Sequence, residues 1–127
     1  MTENVIITIT ARRKMVQARA GDIVLPSIVG MVFGSGGVDA AGNVIAPAED
    51  QTELNHELFR KAISGHSYPS EKTCRYECTL SESELAGEEI SEVGLYDADG
   101  DISCIKTFTR KGKDADLEMT FTLDDVF

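Results

Sequence analysis

Large aromatic side chains are scarce in this sequence. It has no tryptophan, three tyrosines and five phenylalanines. A hydrophobic core must therefore rest on isoleucine, valine, leucine and methionine together with the phenylalanines. The shortage also argues against a stand-alone binding module for a cell-surface glycan, because sugars usually stack on exposed aromatic rings. A glycan-binding module therefore has little support from the composition, and it remains as an alternative to the function considered at the end of this subsection.

Basic residues are also few, 12 against 22 acidic residues, and the formal net charge is -10. Nucleic-acid binding draws most of its affinity from lysine and arginine on phosphates, so no nucleic-acid partner is expected. From Leu80 to Ile105 there are eight acidic residues and no basic ones. Basic residues cluster near both ends: Arg12, Arg13, Lys14, Arg19, Lys106, Arg110, Lys111 and Lys113. This split is either a solvated surface or a means of steering copies or partners into contact.

Cysteines and long apolar runs are limited as well. The three cysteines, Cys74, Cys78 and Cys104, are an odd number, which argues against a disulfide framework. No stretch approaches the roughly 18 apolar residues that cross a bilayer, and residues 5–9 are too short for a signal peptide. We therefore expect no membrane association and synthesis in a reducing cytoplasm. The length predicts a single domain, residues 1–127.

The most informative stretch runs from Ile90 to Ile105. Alternate residues such as Val93 and Leu95 share a face before the turn, as Ile102 and Cys104 do after it. Between them lies Asp97-Ala98-Asp99-Gly100, where glycine accepts a left-handed backbone and aspartate bonds nearby amides. The combination predicts a β-hairpin.

Two segments carry helix signals. Residues 11–20 are mostly good helix formers, with Thr8 or Thr10 as N-cap and Gly21 as the stop. Residues 52–63 follow a capping arrangement and place their apolar residues on one side of a helical wheel. The sequence therefore predicts an N-terminal helix and a second helix near 52–63.

Strands are predicted over residues 4–10, 27–33, 71–80 and 117–123 in addition to the hairpin. The fold class is α+β: one antiparallel sheet of about four or five strands, or a small sandwich, carrying the two helices. Residues 111–114 are predicted to be a solvated loop. The predicted core comprises Val16, Val32, Leu58, Ile63, Tyr76, Val93, Leu95, Ile105, Phe108, Met119 and Phe121.

The acidic turn Asp97-x-Asp99-x-Asp101 suggests a calcium site. An EF-hand loop needs glycine at its sixth position and a bidentate acid at its twelfth. Those positions are Ile102 and Phe108, so an EF-hand is excluded. A weak ion site on the three carboxylates stays open beside the simpler interpretation of a hairpin turn.

Five other residues could in principle ligate zinc: Cys74, Cys78, Cys104, His56 and His66. Structural zinc sites usually contain close Cys-x2-Cys pairs. Cys74 and Cys78 have strand spacing instead, and free cysteine commonly packs as a small apolar side chain. The spacing therefore favours core cysteines over ligands.

Signals for catalysis are missing as well. The cluster Gly34-Ser35-Gly36-Gly37 lacks the Gly-Lys-Ser/Thr and the following helix of a phosphate-binding loop. His66 and Ser67 fall in a stretch predicted to be a loop without a pattern. The adjacent acids Glu88 and Glu89 would point apart on a strand, which is poor geometry for an acid–base pair. We predict no catalytic residue, no metal ligand and no cofactor.

Four blocks of the chain, in order, resemble the phage tail-collar fibre family, whose domains lie at the N-termini of tail-fibre proteins. The clearest is the hairpin block ISEVGLYDADGDISCIKTFTRKGKD at 90–114. The others are the ITARR entry to the N-terminal helix at 9–13, FGSGG at 33–37 and QTELNHELFRKAI at 51–63. Members of the family usually have a small residue at the start of this helix, and the ITARR block of this chain departs from that pattern.

The resemblance implies a non-enzymatic phage or prophage structural protein of the virion tail, which joins fibres to the baseplate or collar by protein–protein docking. Its partners would be other tail or baseplate proteins, and we expect a homo-oligomer, with a trimer as the predicted state. The family offers no functional residues to carry over. Members often continue into a long fibre, so we expect a short adaptor, a prophage remnant or an excised domain.

Overall fold

The computed structural model describes residues 4–127. Within them the chain forms one helix and eight strands. In chain order the elements are β1 Val5–Ile7, α1 Ile9–Arg19, β2 Ile28–Gly34, β3 Glu57–Ala62, β4 Gly65–Ser70, β5 Thr73–Leu80, β6 Glu89–Asp97, β7 Ile102–Gly112 and β8 Met119–Val126. The fold is mostly β, so the prediction of an α+β fold with two helices is only partly confirmed.

The strands form two antiparallel sheets that pack on each other. The first has five strands in the order β1-β7-β6-β2-β3, and the second has three in the order β4-β5-β8. Phe33 of the first and Phe121 of the second meet edge to face, with ring centroids 5.2 Å apart. The core between the sheets consists of Met31, Phe33, Cys78, Leu80, Ile90, Val93, Leu95, Cys104 and Leu123.

A second, smaller cluster contains Val32, Leu54, Ile102 and Ile105. Val32 alternates along β2 with the core residues Met31 and Phe33, so it points to the opposite face of the five-stranded sheet. Leu54 comes from the long connection between β2 and β3 and covers that face. The five-stranded sheet is therefore packed on both sides.

The predicted hairpin is confirmed. β6 and β7 pair antiparallel and are joined by the turn at 97–101. Gly100 has a φ of +87°, in the left-handed region that glycine adopts without strain. An extra residue, Ser103, has no partner across the ladder. The two-residue spacing predicts that Ile102 and Cys104 share a face. Because of the extra residue, Ile102 packs in the smaller cluster, whereas Cys104 packs in the core between the sheets.

The predicted helix over 52–63 is wrong. Residues Glu57–Ala62 instead form β3, which pairs antiparallel with β2. In a helix the amides of Asn55 and His56 would bond to carbonyls four residues earlier. Here both donate to the buried carboxylate of Glu92 at 2.8 Å. Pairing with β2 and binding to this carboxylate override helix propensity, which is a weak preference beside tertiary contacts.

The predicted N-terminal helix is confirmed as α1. Thr8 is its N-cap, and its Oγ1 accepts a hydrogen bond from the Ala11 amide at 3.2 Å. The predicted core position of Val16 is wrong, because this residue is 69% exposed. The helix turns Lys14 and Met15 inward instead. The sequence does not predict that this side of the helix is buried, because a search for regularly spaced apolar residues passes over a lysine.

The other predicted core positions are buried to different degrees. The fully buried ones are Val32, Val93, Leu95 and Ile105. Those only partly buried are Leu58, Ile63, Tyr76, Phe108, Met119 and Phe121. Strands predicted at 27–33, 71–80 and 117–123 correspond to β2, β5 and β8. The strand predicted over 4–10 is shortened to β1, because α1 begins at Ile9.

The solvated loop predicted at 111–114 is also wrong. Lys111 and Gly112 complete β7, and Lys113 is only 1% exposed. The Nζ atom of Lys113 donates to the carbonyls of Glu82 at 2.8 Å and Asp114 at 2.9 Å. An ammonium group with two carbonyl acceptors can be buried together with its apolar stem.

Candidate functional site

The acidic turn of the hairpin is organised by Asp97. Its Oδ1 accepts hydrogen bonds from the amides of Asp99 at 3.0 Å and Asp101 at 3.1 Å. Its carbonyl accepts from the Gly100 amide at 2.8 Å. These bonds are typical of aspartate in a tight turn. They bring three carboxylates together, with one oxygen from each lying within 4.8 Å of the others.

Lys14 on α1 supplies a cation to this cluster. Its Nζ lies 2.7 Å from Oδ2 of Asp97, 3.0 Å from Oδ2 of Asp99 and 2.7 Å from Oδ2 of Asp101. Burial lowers the pKa of Lys14, but the hydrogen bonds to the three carboxylates outweigh burial, so its pKa is raised. The ammonium therefore stays charged and joins the helix to the hairpin turn.

This ammonium lies where a metal ion would bind. Across residues 4–127 the three aspartates are the one group of at least three metal-ligating side chains whose ligand atoms converge. A primary ammonium has three hydrogen-bond donors, and each meets one of the carboxylates. The candidate ion site of the sequence is thus a structural junction in this fold.

A second buried acid, Glu92 on β6, anchors the glycine cluster at 34–37. Its Oε2 accepts from the amides of Gly36 at 2.7 Å and His56 at 2.8 Å, and its Oε1 accepts from Asn55 at 2.8 Å. Backbone amides gathered around an anion are also the basis of a phosphate loop. Here the bound anion is a carboxylate of the chain itself.

Glycine is required in this cluster because the loop runs directly against β6. A Cβ atom at Gly37 would lie 1.9 Å from the carbonyl oxygen of Ser91, and one at Gly36 would lie 2.8 Å from Oε2 of Glu92. The Gly37 amide also donates to Ser91 Oγ at 2.9 Å. The cluster therefore serves close backbone approach.

None of the zinc candidates groups with two others in the part of the chain that the structure describes. Cys74 and Cys78 lie on β5 and Cys104 on β7, whereas His56 precedes β3. His66 lies on β4, a strand where the sequence predicts a loop. Burial raises the pKa of Cys78 and of Cys104, so these thiols stay protonated and pack as apolar side chains.

The adjacent acids Glu88 and Glu89 are both exposed. Glu89 forms a surface ion pair, with its Oε2 3.4 Å from Nε of Arg110. Surface pairs of this kind contribute little to stability. The absence of a catalytic residue, a metal ligand and a cofactor stays a prediction.

A cleft of about 380 Å³ opens beside α1 and the three-stranded sheet. This volume is near the lower end of the range for ligand pockets, about 300–1,000 Å³. Tyr68 and Phe127 form its rim, with 73% and 61% exposure. The apolar lining residues are Met15, Leu25, Ile28, Tyr68, Tyr76 and Phe127.

Asp125 of β8 lines this cleft at the end of an apolar row formed by Met119, Phe121 and Leu123. Its partner across the ladder is Cys74 on β5. Asp125 is 8% exposed, and no residue from 4 to 127 donates a hydrogen bond to its carboxylate or pairs with it. Fully buried side-chain oxygens among these residues all have partners, so those of Asp125 must reach solvent through the cleft. Burial raises the pKa of Asp125 to about 6.

Lys14, Glu92 and Asp125 organise the candidate sites described above, and the sequence did not predict them. A signal for Asp125 exists, because the alternation of residues 117–123 continues to 125, where an acid occupies an apolar position. Lys14 has no local signal, since its role depends on how α1 meets the turn. Glu92 has none either, because its partners are amides far along the chain.

The family model for the N-terminal domain of phage tail-collar fibre proteins matches residues 1–122. The chain belongs to the phage tail-collar fibre family. No curated protein and no solved structure matches it. Tail-collar fibre proteins are structural proteins of the virion tail. In residues 4–127, α1 has 11 residues and is too short to cross a membrane.

Proposed function

We propose that this tail-collar fibre domain is a non-catalytic docking protein that attaches or organises tail fibres at the baseplate or collar. The observation that carries the proposal is the apolar rim of the cleft. Leu25, Tyr68 and Phe127 come from three separate parts of the chain and are each about half or more exposed. Exposed apolar residues brought together on one surface favour a protein–protein contact.

The connection from α1 to β2 adds to this surface. Ile23 and Val24 directly precede Leu25, and Val24 is 92% exposed. Three consecutive apolar residues that remain exposed are unusual on a surface that makes no contact. This connection therefore favours a binding role.

Two of the acidic sites, the turn at 97–101 and Glu92, support a non-catalytic role. The carboxylates of the acidic turn are all bonded to Lys14, and Glu92 is bonded to three backbone amides. Groups held this way position other parts of the chain and are not free to transfer protons to a substrate. A role in virion assembly would then depend on exposed surfaces that bind other tail proteins.

We further propose that residues 1–127 form one domain and that copies self-associate, with a trimer as the expected state. The shared core of the two sheets supports a single domain. The division between acidic and basic segments supports contact between copies or with other tail proteins. Synthesis in the host cytoplasm before assembly accords with three unpaired thiols.

The first test is the solution mass by light scattering over a concentration series, at low and at physiological salt. We expect self-association, and its salt dependence tells whether attraction between the basic and acidic segments or repulsion between chains of net charge -10 dominates. A monomer at every concentration and salt would reject self-assembly. Docking would then rest on tail partners alone.

The second test is co-purification with the tail and baseplate proteins encoded beside this chain. The double variant Leu25→Ser, Tyr68→Ser should lose the partner, whereas Leu117→Ser, another exposed apolar position, should keep it. Retention of the partner by the double variant would contradict docking at the cleft rim. Binding of an oligosaccharide without any tail partner would favour the glycan-binding alternative.

A further inference from the structure

The cleft combines an apolar wall with one unneutralised acid. Met15, Ile28 and Tyr76 provide apolar lining, and Asp125 lies among the lining residues. Asp125 is 8% exposed, its carboxylate oxygens meet solvent only through the cleft, and no group among residues 4–127 donates a hydrogen bond to them. A carboxylate that is largely shielded from water and has no protein donor is stabilised when a charged donor enters beside it.

We propose that the cleft binds a lysine or arginine side chain of a partner tail protein, whose cationic end pairs with the carboxylate of Asp125. The apolar stem of such a side chain would lie against the lining residues. The charged end would make a charge-assisted hydrogen bond in a site largely protected from water. This inference rests on the proposed docking function and names the chemistry of the partner.

The other charged groups at the cleft leave Asp125 without a counter-charge. Lys14 of α1 and Asp97 of β6 also line it, but the Lys14 ammonium is bonded to the three carboxylates of the acidic turn and not to Asp125. His66 of β4 faces the ring of Tyr76, with centroids 6.0 Å apart. Burial and a hydrogen bond with Cys74 raise the pKa of the Tyr76 hydroxyl, so it stays uncharged. A cation entering the cleft thus meets a net negative charge.

Remaining titratable groups near Asp125 do not change this balance. Cys74 lies opposite it on β5, and Cys104 approaches from β7 with a pKa raised by burial, so that its thiol is neutral. Tyr68 is on the solvent side of the cleft. The counter-charge for the Asp125 carboxylate would therefore come from the cationic end of a side chain that enters the cleft.

Overall charge favours a basic partner over a second copy. The chain carries a formal net charge of -10, so two copies repel each other at long range. A basic segment of another tail protein would be attracted instead. The occupant we infer is therefore a lysine or arginine presented by a different protein.

The test uses N-acetyl-arginine methylamide as the probe, titrated into the full chain labelled with nitrogen-15 at pH 7.5. We expect saturable NMR shifts of amides near 74–76 and 123–126, with a dissociation constant in the millimolar range. N-acetyl-norleucine methylamide has a stem of similar length without charge and should bind at least tenfold more weakly. Equal binding of both probes would overturn the inference and leave an apolar groove only.

Variants then assign the interaction. Asp125→Asn should weaken binding of the arginine probe at least tenfold, whereas Asp124→Asn, which removes a charge from the opposite face of β8, should not. A dispersed amide spectrum of Asp125→Asn verifies that this variant is folded. Unchanged binding by folded Asp125→Asn would overturn the role of Asp125.

A pH series gives an independent readout. Binding should fall about tenfold between pH 7.5 and pH 5, because protonation of Asp125 removes the charge. His66 also lines the cleft, so the series is repeated in His66→Gln, where the same fall is expected. A fall that disappears in His66→Gln would overturn the assignment to Asp125.

The outcomes separate this inference from the docking function. Failure of the probe to bind, while the chain still co-purifies with a tail protein, overturns the cation site and leaves docking intact. If the cleft-rim double variant loses the tail partner but Asp125→Asn keeps it, the cation site is likewise overturned and docking at the rim remains. If the probe instead dissociates self-associated chains, the occupant is a second copy and the inferred partner is wrong.

Discussion

Lys14 and Asp97 lie 83 residues apart in the chain, yet the Nζ of Lys14 is 2.7 Å from Oδ2 of Asp97. Asp97 is nearly buried, with its side chain 5% exposed, while Asp99 and Asp101, which also bond to Lys14, remain largely exposed. The contact fixes α1 against the hairpin turn. It also explains why a lysine faces inward on a short helix.

Replacing Lys14 by methionine should destabilise the fold by about 2 kcal/mol. Removing one partner of a buried ion pair costs about 3–5 kcal/mol, and the exposure of two of the three aspartates reduces that value. Urea denaturation of Lys14→Met measures the change, with the exposed Lys72→Met as the control. Equal stability of the two variants would show that the junction contributes nothing.

Calcium should distinguish a structural junction from an ion site. In the natural sequence Lys14 already bonds to all three carboxylates, so millimolar calcium should leave the unfolding midpoint unchanged. In Lys14→Ala the cluster is open to a hard cation with oxygen ligands, and calcium should raise the midpoint. A calcium-dependent rise in the natural sequence would indicate that an ion displaces the lysine.

Glu92→Gln should destabilise the fold by about 2–3 kcal/mol although it preserves the shape of the side chain. A glutamine can accept from Gly36 and His56 through its oxygen, but its amide group then faces the Asn55 amide, another donor. A buried donor without an acceptor costs about 1–3 kcal/mol, and the charge-assisted bonds are weakened as well. Thermal unfolding tests this, with exposed Glu118→Gln as the matched control.

Gly37→Ala should be among the most damaging single-methyl additions in this chain. The new Cβ atom would lie 1.9 Å from the backbone oxygen of Ser91, which cannot move without disturbing β6. Overpacking costs about 1–3 kcal/mol, and more when backbone must shift. Gly112→Ala provides the control, because nothing lies within 4 Å of a Cβ there. Similar denaturation midpoints for both variants would contradict the close approach.

Asp125 should make the fold less stable at neutral pH than at acidic pH, all other groups being equal. Its folded pKa is about 6, above the value near 3.9 of an unfolded aspartate. The folded state therefore binds this proton more tightly. The penalty for ionising Asp125 is fully present above pH 6 and disappears below about pH 4.

Asp125→Asn should accordingly be more stable than the natural sequence by about 1–2 kcal/mol at pH 7.5, with the difference vanishing at pH 4. Denaturation with urea at both pH values measures this double difference. Asp116→Asn, an exposed change of the same charge, should show no such dependence. A destabilised Asp125→Asn at pH 7.5 would mean that the carboxylate has a favourable partner.

Elements whose stability is local were predictable. The hairpin turn depends on an aspartate and a glycine within five residues, and α1 depends on a threonine cap and good helix formers. The segment 52–63 failed, because its helical pattern is weaker than pairing with β2 and the bonds of Asn55 and His56 to Glu92. Local propensity decides only where no distant partner competes.

The sequence by itself determined the hairpin, the first helix, most strands and membership of the tail-collar fibre family, because these depend on short-range spacing. Only the tertiary structure decided that Lys14 bonds to the acidic turn, that Glu92 binds the glycine loop and that Asp125 lines a cleft. Each of these is an electrostatic or hydrogen-bond relation between distant segments. Since such relations depend on where the two sheets and the helix meet, no pattern along the chain contains them.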